Sequence, residues 1–294
     1  MAKSNSQAIV TMAVGQKYYD EWKQFCERNW RVYADMHSYD IILIDKPLDE
    51  SDRAKKRHMS WQKCLVLSQD FAKDYERIVW LDSDMLINTR AAPSITAGVP
   101  ADKVGVVEIW SEPYPQWYQE CLRRMYEFWG PETIVNYAPE EYYSTYGFPR
   151  SFDKVPGNAV MVMSPVHHRE LLERNYYDYE EKGSAWNAEM RPFSYEVMNA
   201  DCAHWLDYRY CYQWFEVRFI YYPFLINPPK PQSFRDRAVR KVGGFTDISL
   251  REKLNKMCVN AAFQNSYFLH CGGDTKRDMN LVDVTAASWR ECRI

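Results

Sequence analysis

Two carboxylates one residue apart follow an apolar run, and their type and spacing suit a divalent cation. Asp82 and Asp84 flank Ser83 directly after the run Ile78-Val79-Trp80-Leu81. In extended backbone, side chains two residues apart point the same way, so like charges repel unless a cation lies between them. Mg²⁺ and Mn²⁺ favour oxygen ligands, and Mg²⁺ commonly binds one or two carboxylates together with substrate phosphates. The pattern predicts a cation site; the alternative is a turn in which the Asp side chains bond to the backbone.

A second group of candidate residues lies towards the C-terminus. His270 ends the run Tyr267-Phe268-Leu269 and is followed by Gly272-Gly273 and by Lys276. Glycines let backbone amides approach a phosphate closely, and lysine adds a compact positive charge. His270 suits Mn²⁺ better than Mg²⁺, although a single histidine at a strand end is more often a packed, hydrogen-bonded residue. Together these residues indicate a phosphate-binding turn beside a metal ligand.

The pattern of apolar runs predicts an α/β fold that brings these segments to one edge of a sheet. Short β-rich runs alternate with helical patterns, which is typical of a parallel, doubly wound sheet. Strands are predicted at 8–14, 40–45, 77–81, 104–109, 159–163 and 267–270, and helices at 17–29, 60–75, 116–129 and 165–177. Ligands of such sheets bind beyond the carboxyl ends of the strands, where Gly15, Asp45 and Asp82 are placed.

Length and composition are those of an ordinary globular protein. The 294 residues are 46% hydrophobic and 26% charged, so a sizeable core is possible without disulfides or structural zinc. A net charge of -3 gives no general basic field, and no nucleic-acid partner is expected. The eight cysteines form no C-x-x-C pair and are expected to be reduced thiols. No apolar run is long enough for an integral membrane segment, which predicts a cytoplasmic protein; a luminal enzyme separated from its anchor stays open.

The order of the motifs resembles that of retaining GT-A glycosyltransferases. The matching segments are Trp61-Gln62-Lys63, the strand into Asp82-Ser83-Asp84, Gly157-Asn158-Ala159-Val160 and His270-x-x-Gly273-x-x-Lys276. The sequence is most similar to family 8, which includes glycogenin and bacterial lipooligosaccharide galactosyltransferases, and it also resembles the family 34 galactosyl- and xylosyltransferases. The resemblance covers about residues 8–90, 155–211 and 266–277. It implies a GT-A fold: a single domain over 1–294, with a mostly parallel central sheet flanked by helices, a nucleotide-binding half at 1–100 and an acceptor-binding half at 101–294.

The resemblance also implies a role for individual residues. A divalent cation, Mn²⁺ or Mg²⁺, is expected to bind Asp82, Asp84 and His270. The catalytic candidates are Glu196 and Asn158, which would stabilise the cationic sugar. The nucleotide-sugar donor is expected to contact Thr11, Ala13, Val14, Gly15, Tyr18, Lys63, Ser83, Asn199, Gly273 and Lys276. Tyr195, Asp207 and Cys211 depart from the family pattern, in which Gln, Pro and Asn occupy these positions.

The sequence thus predicts a metal-dependent enzyme that moves a sugar from a nucleotide-sugar donor, with UDP favoured, to a saccharide or glycoconjugate acceptor. Retention of anomeric configuration is expected from the resemblance alone. An aromatic-rich insert at 110–152, with Trp110, Tyr114, Trp117 and Tyr118, is the candidate acceptor surface, although helix packing explains these rings nearly as well. Two alternatives stay open: a metal-dependent nucleotidyltransferase or phosphohydrolase, and a non-catalytic carbohydrate-binding protein supported only by the 16% aromatic share.

Overall fold

The computed structural model describes residues 5–109, 115–129, 138–182, 188–226 and 247–288. The strands are β1 (Gln7–Met12), β2 (Tyr39–Ile44), β3 (Arg77–Leu81), β4 (Met85–Ile87), β5 (Val104–Glu108), β6 (Pro156–Met163), β7 (Ala203–Trp205), β8 (Tyr212–Gln213) and β9 (Phe268–His270). The α-helices are α1 (Gln16–Phe25), α2 (Glu27–His37), α3 (Asp52–Lys55), α4 (Pro115–Trp129), α5 (Pro139–Thr145), α6 (Pro165–Tyr177), α7 (Met190–Asn199), α8 (Trp214–Tyr221) and α9 (Asp247–Gln264). Shorter 3₁₀ helices are Met59–Ser68, Asp70–Asp74, Tyr208–Cys211, Pro223–Leu225 and Gly273–Leu281.

The main sheet has the strand order β2-β1-β3-β6-β5-β7. β1 pairs in parallel with both β2 and β3, and β5 pairs in parallel with β7. The prediction of an α/β fold with a mostly parallel sheet is confirmed. However, β6 runs antiparallel to β3 and β5, so the sheet is not the all-parallel one that the alternation of elements suggested. The reversal places the start of β6 beside the end of β3.

Both faces of this sheet are buried, as the continuous apolar strands require. Alternate side chains of β1, such as Ile9 and Val10, belong to two different hydrophobic clusters. The first cluster includes α1, α2 and α9, and the second includes the 59–68 segment, α6 and α7. A third cluster joins α4, α5 and α8, with Tyr142 and Tyr143 fully buried in it. The described aromatic side chains of the insert therefore contribute largely to packing.

A smaller sheet orders the loop that follows β3. β4 pairs antiparallel with β9, and β8 pairs parallel with β9. The pairing aligns Met85 with His270, so the residue after Asp84 lies opposite the last residue of β9. The Cys271 amide continues the contact by donating to the carbonyl of Asp84 over 2.9 Å. Two segments almost 190 residues apart are thus held together by backbone hydrogen bonds.

Two predicted helices differ in the structure. The helix predicted at 17–29 is interrupted at Cys26, whose thiol lies 3.4 Å from the Ser83 carbonyl and 3.3 Å from that of Met85. The α-helix predicted at 60–75 is two 3₁₀ helices, Met59–Ser68 and Asp70–Asp74. Residues 61–67 are buried in succession, and Lys63 is among them. Tertiary burial on all sides overrides the amphipathic helical pattern here.

The side chain of Asn29 on α2 substitutes for a strand partner along β4. Its amide donates to the Ile87 carbonyl and its oxygen accepts from the Ile87 amide, both over 2.7 Å. We expect Asn29→Ala to lower the free energy of unfolding by about 2–4 kcal/mol, because two buried backbone groups lose their partners. Asn265→Ala, at an exposed turn position directly after α9, is the control and should change it by less than about 0.5 kcal/mol. Urea denaturation of both variants measures the difference, and equal stabilities would contradict this role for Asn29.

Candidate active site

Four separate segments meet at the carboxyl end of β3. Asp82 follows this strand, and its amide donates to the carbonyl of Ala159 on β6 over 3.0 Å. The antiparallel course of β6 places Asn158 at this point. Lys63 lies in the 3₁₀ helix Met59–Ser68, and Glu189 directly precedes α7. Asp82, Asn158 and Lys63 were predicted as site residues, and Glu189 was not.

Lys63 is a buried cation between two carboxylates. Only 5% of its side chain is exposed, and its Nζ lies 2.9 Å from Asp82 Oδ1 and 3.2 Å from Glu189 Oε1. The Asn158 carbonyl lies 3.4 Å from the same Nζ. Burial acts to lower the pKa of Lys63, but the two carboxylates outweigh it and the pKa lies above the ordinary value. The lysine is therefore charged and is held between the two carboxyl groups.

Glu189 is the residue that sequence reasoning missed. Its Oε1 accepts a hydrogen bond from Asn158 Nδ2 over 3.0 Å, and its Oε2 accepts one from Ser60 Oγ. Burial acts to raise the pKa of Glu189, but Lys63 and these donors hold it below the ordinary value. The carboxylate is thus kept ionised and fixed in place. In the sequence it is a single Glu with no motif around it, so only the tertiary contacts identify it.

Asp84 faces the other side of the loop, towards His270. The two atoms in contact are Asp84 Oδ1 and His270 Nε2, which lie 3.2 Å apart. Asp84 Oδ1 is buried and makes no hydrogen bond to any described residue. Burial acts to raise the pKa of Asp84, but His270 and Lys276 outweigh it and the pKa is lowered. Asp84 is thus an ionised, buried carboxylate whose partner is the His270 imidazole, and a divalent cation would take the place of the proton between them.

The other ring nitrogen of His270, Nδ1, lies near a thiol. His270 Nδ1 lies 3.8 Å from the Sγ of Cys211, which is one of the seven buried, unpaired cysteines in the described part of the chain. Burial acts to lower the pKa of His270, but Asp84 outweighs it and the pKa lies well above the ordinary value, so Nε2 carries a proton towards Asp84. His270 would act as a metal ligand through Nε2 once this proton is lost.

Two of these side chains are candidate ligands for a divalent cation. Asp84 Oδ1 and His270 Nε2 supply two adjacent donors, and Mn²⁺ accepts both kinds. Within the described ranges, no three His, Cys, Asp or Glu side chains are arranged to hold a metal ion. Asp82 has other partners, because its Oδ1 accepts from Lys63 Nζ over 2.9 Å and from Trp80 Nε1 over 2.8 Å. Asp82 and Asp84 thus lie in one turn but face different partners, and the predicted alternation of the strand does not continue through them.

The glycine-rich turn brings a second lysine to the site. Gly273 has a φ of 61°, a left-handed conformation that favours glycine. A side chain at Gly272 would meet His270 Nε2 at 3.3 Å, so the turn passes close to the candidate ligand. Lys276 Nζ lies 3.1 Å from Glu21 Oε2 on α1. The turn thus passes beside His270, and Lys276 is near enough to Asp84 to contribute to the lowering of its pKa.

The predicted nucleoside-binding residues lie where β1 leads into α1. β1 is parallel to β3, so its carboxyl end lies on the same edge of the sheet. Thr11 and Ala13 are buried, and the Thr11 hydroxyl makes no hydrogen bond to a described residue. Val14 leads to Gly15, whose φ of 93° turns the chain into α1. Tyr18 is 49% exposed at this edge, and Lys276 Nζ lies 5.0 Å from its ring centre.

Some predicted site residues have other partners. Glu196 on α7 contacts Arg174 Nη2 at 3.3 Å and the Tyr179 hydroxyl at 2.6 Å, rather than Lys63 or Asp82. Asn199 is exposed at the end of α7. Ser83 lies in the turn, and the contact that involves it is its carbonyl with Cys26. Trp110 and Tyr114 lie outside the described residues, as do the side chains of Trp117 and Tyr118, so the acceptor surface stays a prediction.

No described helix combines the length and the apolar character that a bilayer crossing requires. No protein-family model matches the sequence, and no curated protein sequence matches it.

Comparison with solved structures returns proteins that act on sugars. One is a glycosyltransferase involved in the glycosylation of the major capsid of PBCV-1, with 12% identity over 94% of this chain and 100% of that chain, at a TM-score of 0.49. Another is the bifunctional glycosyltransferase WbbM without ligand, with 10% identity, 93% and 47% coverage and a TM-score of 0.44. A third is mouse xyloside xylosyltransferase 1 without ligand, with 14% identity, 74% and 93% coverage and a TM-score of 0.35. Similarity at these values does not assign an activity.

Proposed function

We propose that this protein is a metal-dependent glycosyltransferase of the GT-A type, which transfers a sugar from a nucleotide-sugar donor to a saccharide or glycoconjugate acceptor. The observation that carries the proposal is the buried, ionised Asp84 Oδ1 beside His270 Nε2 at the carboxyl edge of the sheet. The glycine turn with Lys276 begins directly after Cys271, and Asp82, which pairs with Lys63, lies two residues before Asp84. The motif order, which resembles that of family 8 and family 34, supports the same function.

Asp84 and His270 would hold Mn²⁺ or Mg²⁺, with Asp82 as a further ligand if its carboxylate turns from Lys63. The bound cation would neutralise charge on the leaving diphosphate. Lys276 adds a second positive charge for the same oxygens, because the glycine turn places it near Asp84. Thr11, Ala13, Val14, Gly15 and Tyr18 would contact the nucleoside at the end of β1.

Glu189 takes the role that the sequence suggested for Glu196. Cleavage of the donor leaves positive charge on the anomeric carbon, and a fixed carboxylate nearby stabilises it. Glu189 is ionised, buried and held by Lys63, Asn158 and Ser60, which limits its reorganisation during the reaction. Lys63 keeps this carboxylate charged, and Asn158 orients it. Retention is proposed from the family resemblance, with the acceptor attacking on the face that the diphosphate leaves.

A thermal-shift screen tests the proposal. Uridine, guanosine, adenosine and cytidine diphosphates are each added with Mn²⁺, with Mg²⁺ and with EDTA. A ligand that binds only the folded state raises Tm by mass action, and we expect one diphosphate to do so only with a divalent cation, with UDP favoured. The sugar conjugates of that nucleotide are then tried as donors, and proton NMR of the first product distinguishes retention from inversion.

Three other results would contradict the proposal. Nucleotide incorporation into a product without sugar transfer would support a nucleotidyltransferase. Release of phosphate without transfer to any acceptor would support a phosphohydrolase. Saccharide binding with no metal-dependent nucleotide binding would support a non-catalytic carbohydrate-binding protein.

A further inference from the structure

The lysine of the glycine-rich turn is held by a carboxylate from α1. Lys276 Nζ and Glu21 Oε2 are 3.1 Å apart, and their side chains are only 19% and 26% exposed. Tyr18, one turn earlier on the same helix, places its ring centre 5.0 Å from this Nζ. Lys17, which is 77% exposed, lies 4.0 Å from the other oxygen of Glu21. Glu21 thus has a close partner in Lys276 and a more distant, exposed one in Lys17.

The pair is not what positions the two segments that it joins. Glu21 Oε2 is buried and makes no hydrogen bond to a described residue, so its contact with Lys276 is an ion pair without hydrogen-bond geometry. α1 is anchored instead by the buried Trp22 and by Cys26 against the Ser83 carbonyl. The turn is anchored independently of α1, as two hydrogen bonds of its 3₁₀ helix show: Thr275 Oγ1 to the Gly272 carbonyl over 2.7 Å, and Trp214 Nε1 to Asp278 Oδ2 over 2.8 Å. The Glu21–Lys276 pair can therefore open without unfolding either segment.

We propose that Glu21 competes with the anionic ligand for Lys276, so that diphosphate binding exchanges a carboxylate for a phosphate oxygen. The inference rests on the proposed function, in which Lys276 contacts the diphosphate. Carboxylate and phosphate oxygens are interchangeable partners for an ammonium, which acts as a compact charge on a flexible stem. Glu21 thereby lowers the affinity of the site, because the ligand must displace one negative charge and then bind beside it.

The variant Glu21→Gln removes the competing charge and keeps the shape of the side chain. We expect it to bind UDP and inorganic pyrophosphate more tightly than the wild type, by roughly 3- to 10-fold, because the pair is partly shielded from solvent. Isothermal titration calorimetry in the presence of Mn²⁺, and again in EDTA, measures both ligands. Asp20→Asn is the matched control: it is the same change one residue earlier, on an exposed side chain that bonds Gln16. It should leave both affinities within about 2-fold.

Measuring Glu21→Gln in a second protein background distinguishes competition for Lys276 from direct repulsion between Glu21 and the ligand. Lys276→Gln removes the shared partner, so Glu21→Gln should give no further tightening when the two changes are combined. Equal tightening in both backgrounds would overturn the inference, because Glu21 would then act only through its charge on the ligand. Weaker binding by Glu21→Gln alone would also overturn it, because Glu21 would then be holding Lys276 in the binding position. Tm values of the four proteins without ligand check that each is folded.

The failure of this inference is distinguishable from that of the proposed function. If Asp84-dependent UDP binding is present and Glu21→Gln leaves it unchanged, only the inference fails. If the wild type binds no nucleoside diphosphate with any cation, the proposed function fails. Pyrophosphate binding then still tests the exchange. If Glu21→Gln does not bind pyrophosphate more tightly than the wild type, the inference fails as well.

Discussion

Asp84→Asn is expected to abolish Mn²⁺-dependent nucleotide binding and to lower sugar transfer by at least about 100-fold. The change replaces an ionised oxygen, which is buried and makes no hydrogen bond to a described residue, by a neutral amide. The amide is a poor ligand for a hard cation and cannot share the charge of the diphosphate leaving group. Calorimetry with UDP and Mn²⁺, together with electron paramagnetic resonance of bound Mn²⁺, measures the loss independently of activity.

The fold is expected to tolerate this change. The change weakens the ion pair with His270, but the amide oxygen can still accept from Nε2, and the backbone carbonyl that accepts from Cys271 remains. Asp274→Asn is the matched control, since Asp274 lies in the glycine-rich turn and its side chain is 60% exposed. It should bind Mn²⁺ and UDP as the wild type does. Undiminished metal and nucleotide binding by Asp84→Asn would show that this carboxylate is not a ligand.

Lys63→Met is expected to lower the free energy of unfolding by about 3–5 kcal/mol and to remove activity. The change leaves Asp82 and Glu189 close together and largely buried with no cation between them. Removing one partner of a buried charge group costs far more than the group itself contributes, because the remaining charges stay uncompensated. Urea denaturation at neutral pH measures the stability. Lys23→Met, in an exposed pair with Glu27, is the control and should leave the stability close to that of the wild type.

Glu189→Gln tests the chemical role of the same group. The amide keeps one acceptor oxygen for Asn158 Nδ2, and its NH2 group can donate to the Ser60 hydroxyl, while Asp82 still pairs with Lys63. We expect a loss of transfer of roughly 100-fold or more with nucleotide affinity little changed, because Glu189 acts on the developing sugar cation. Adding Glu189→Gln to Lys63→Met should recover part of the lost stability, because one uncompensated charge disappears. If Lys63→Met is as stable as the wild type, the buried charge group does not exist as described.

The sequence predicted the sheet and the main site segments because their signals are local. β1, β2, β3 and β5 are short apolar runs with clear ends, and all of them occur within a few residues of the predicted bounds. Asp82, Asp84 and His270 lie at strand ends, and the structure brings Asp84 and His270 together. The pairing of β4 with β9 brings these two residues together, and the sequence does not specify it in detail because each strand has only three residues.

Other features depend on tertiary contacts that leave no local pattern. The 59–68 segment has helical periodicity, yet burial around Lys63 turns it into a 3₁₀ helix. Glu189 and Glu196 are seven residues apart, and only packing decides that the first faces Lys63 and the second faces Arg174. The direction of β6 follows from the long insert before it, so the approach of Asn158 to Asp82 was available only through family resemblance. The opposite facing of Asp82 and Asp84 reflects a turn whose φ and ψ values no motif specifies.

A crystal structure of the wild type with Mn²⁺ and UDP, with anomalous diffraction to locate manganese, tests the central claim most directly. We expect an anomalous peak in coordination contact with Asp84 Oδ1 and His270 Nε2, bridged to diphosphate oxygens that also contact Lys276. A structure with UDP bound elsewhere, and with no manganese between Asp84 and His270, would contradict the metal site and the transfer mechanism built on it.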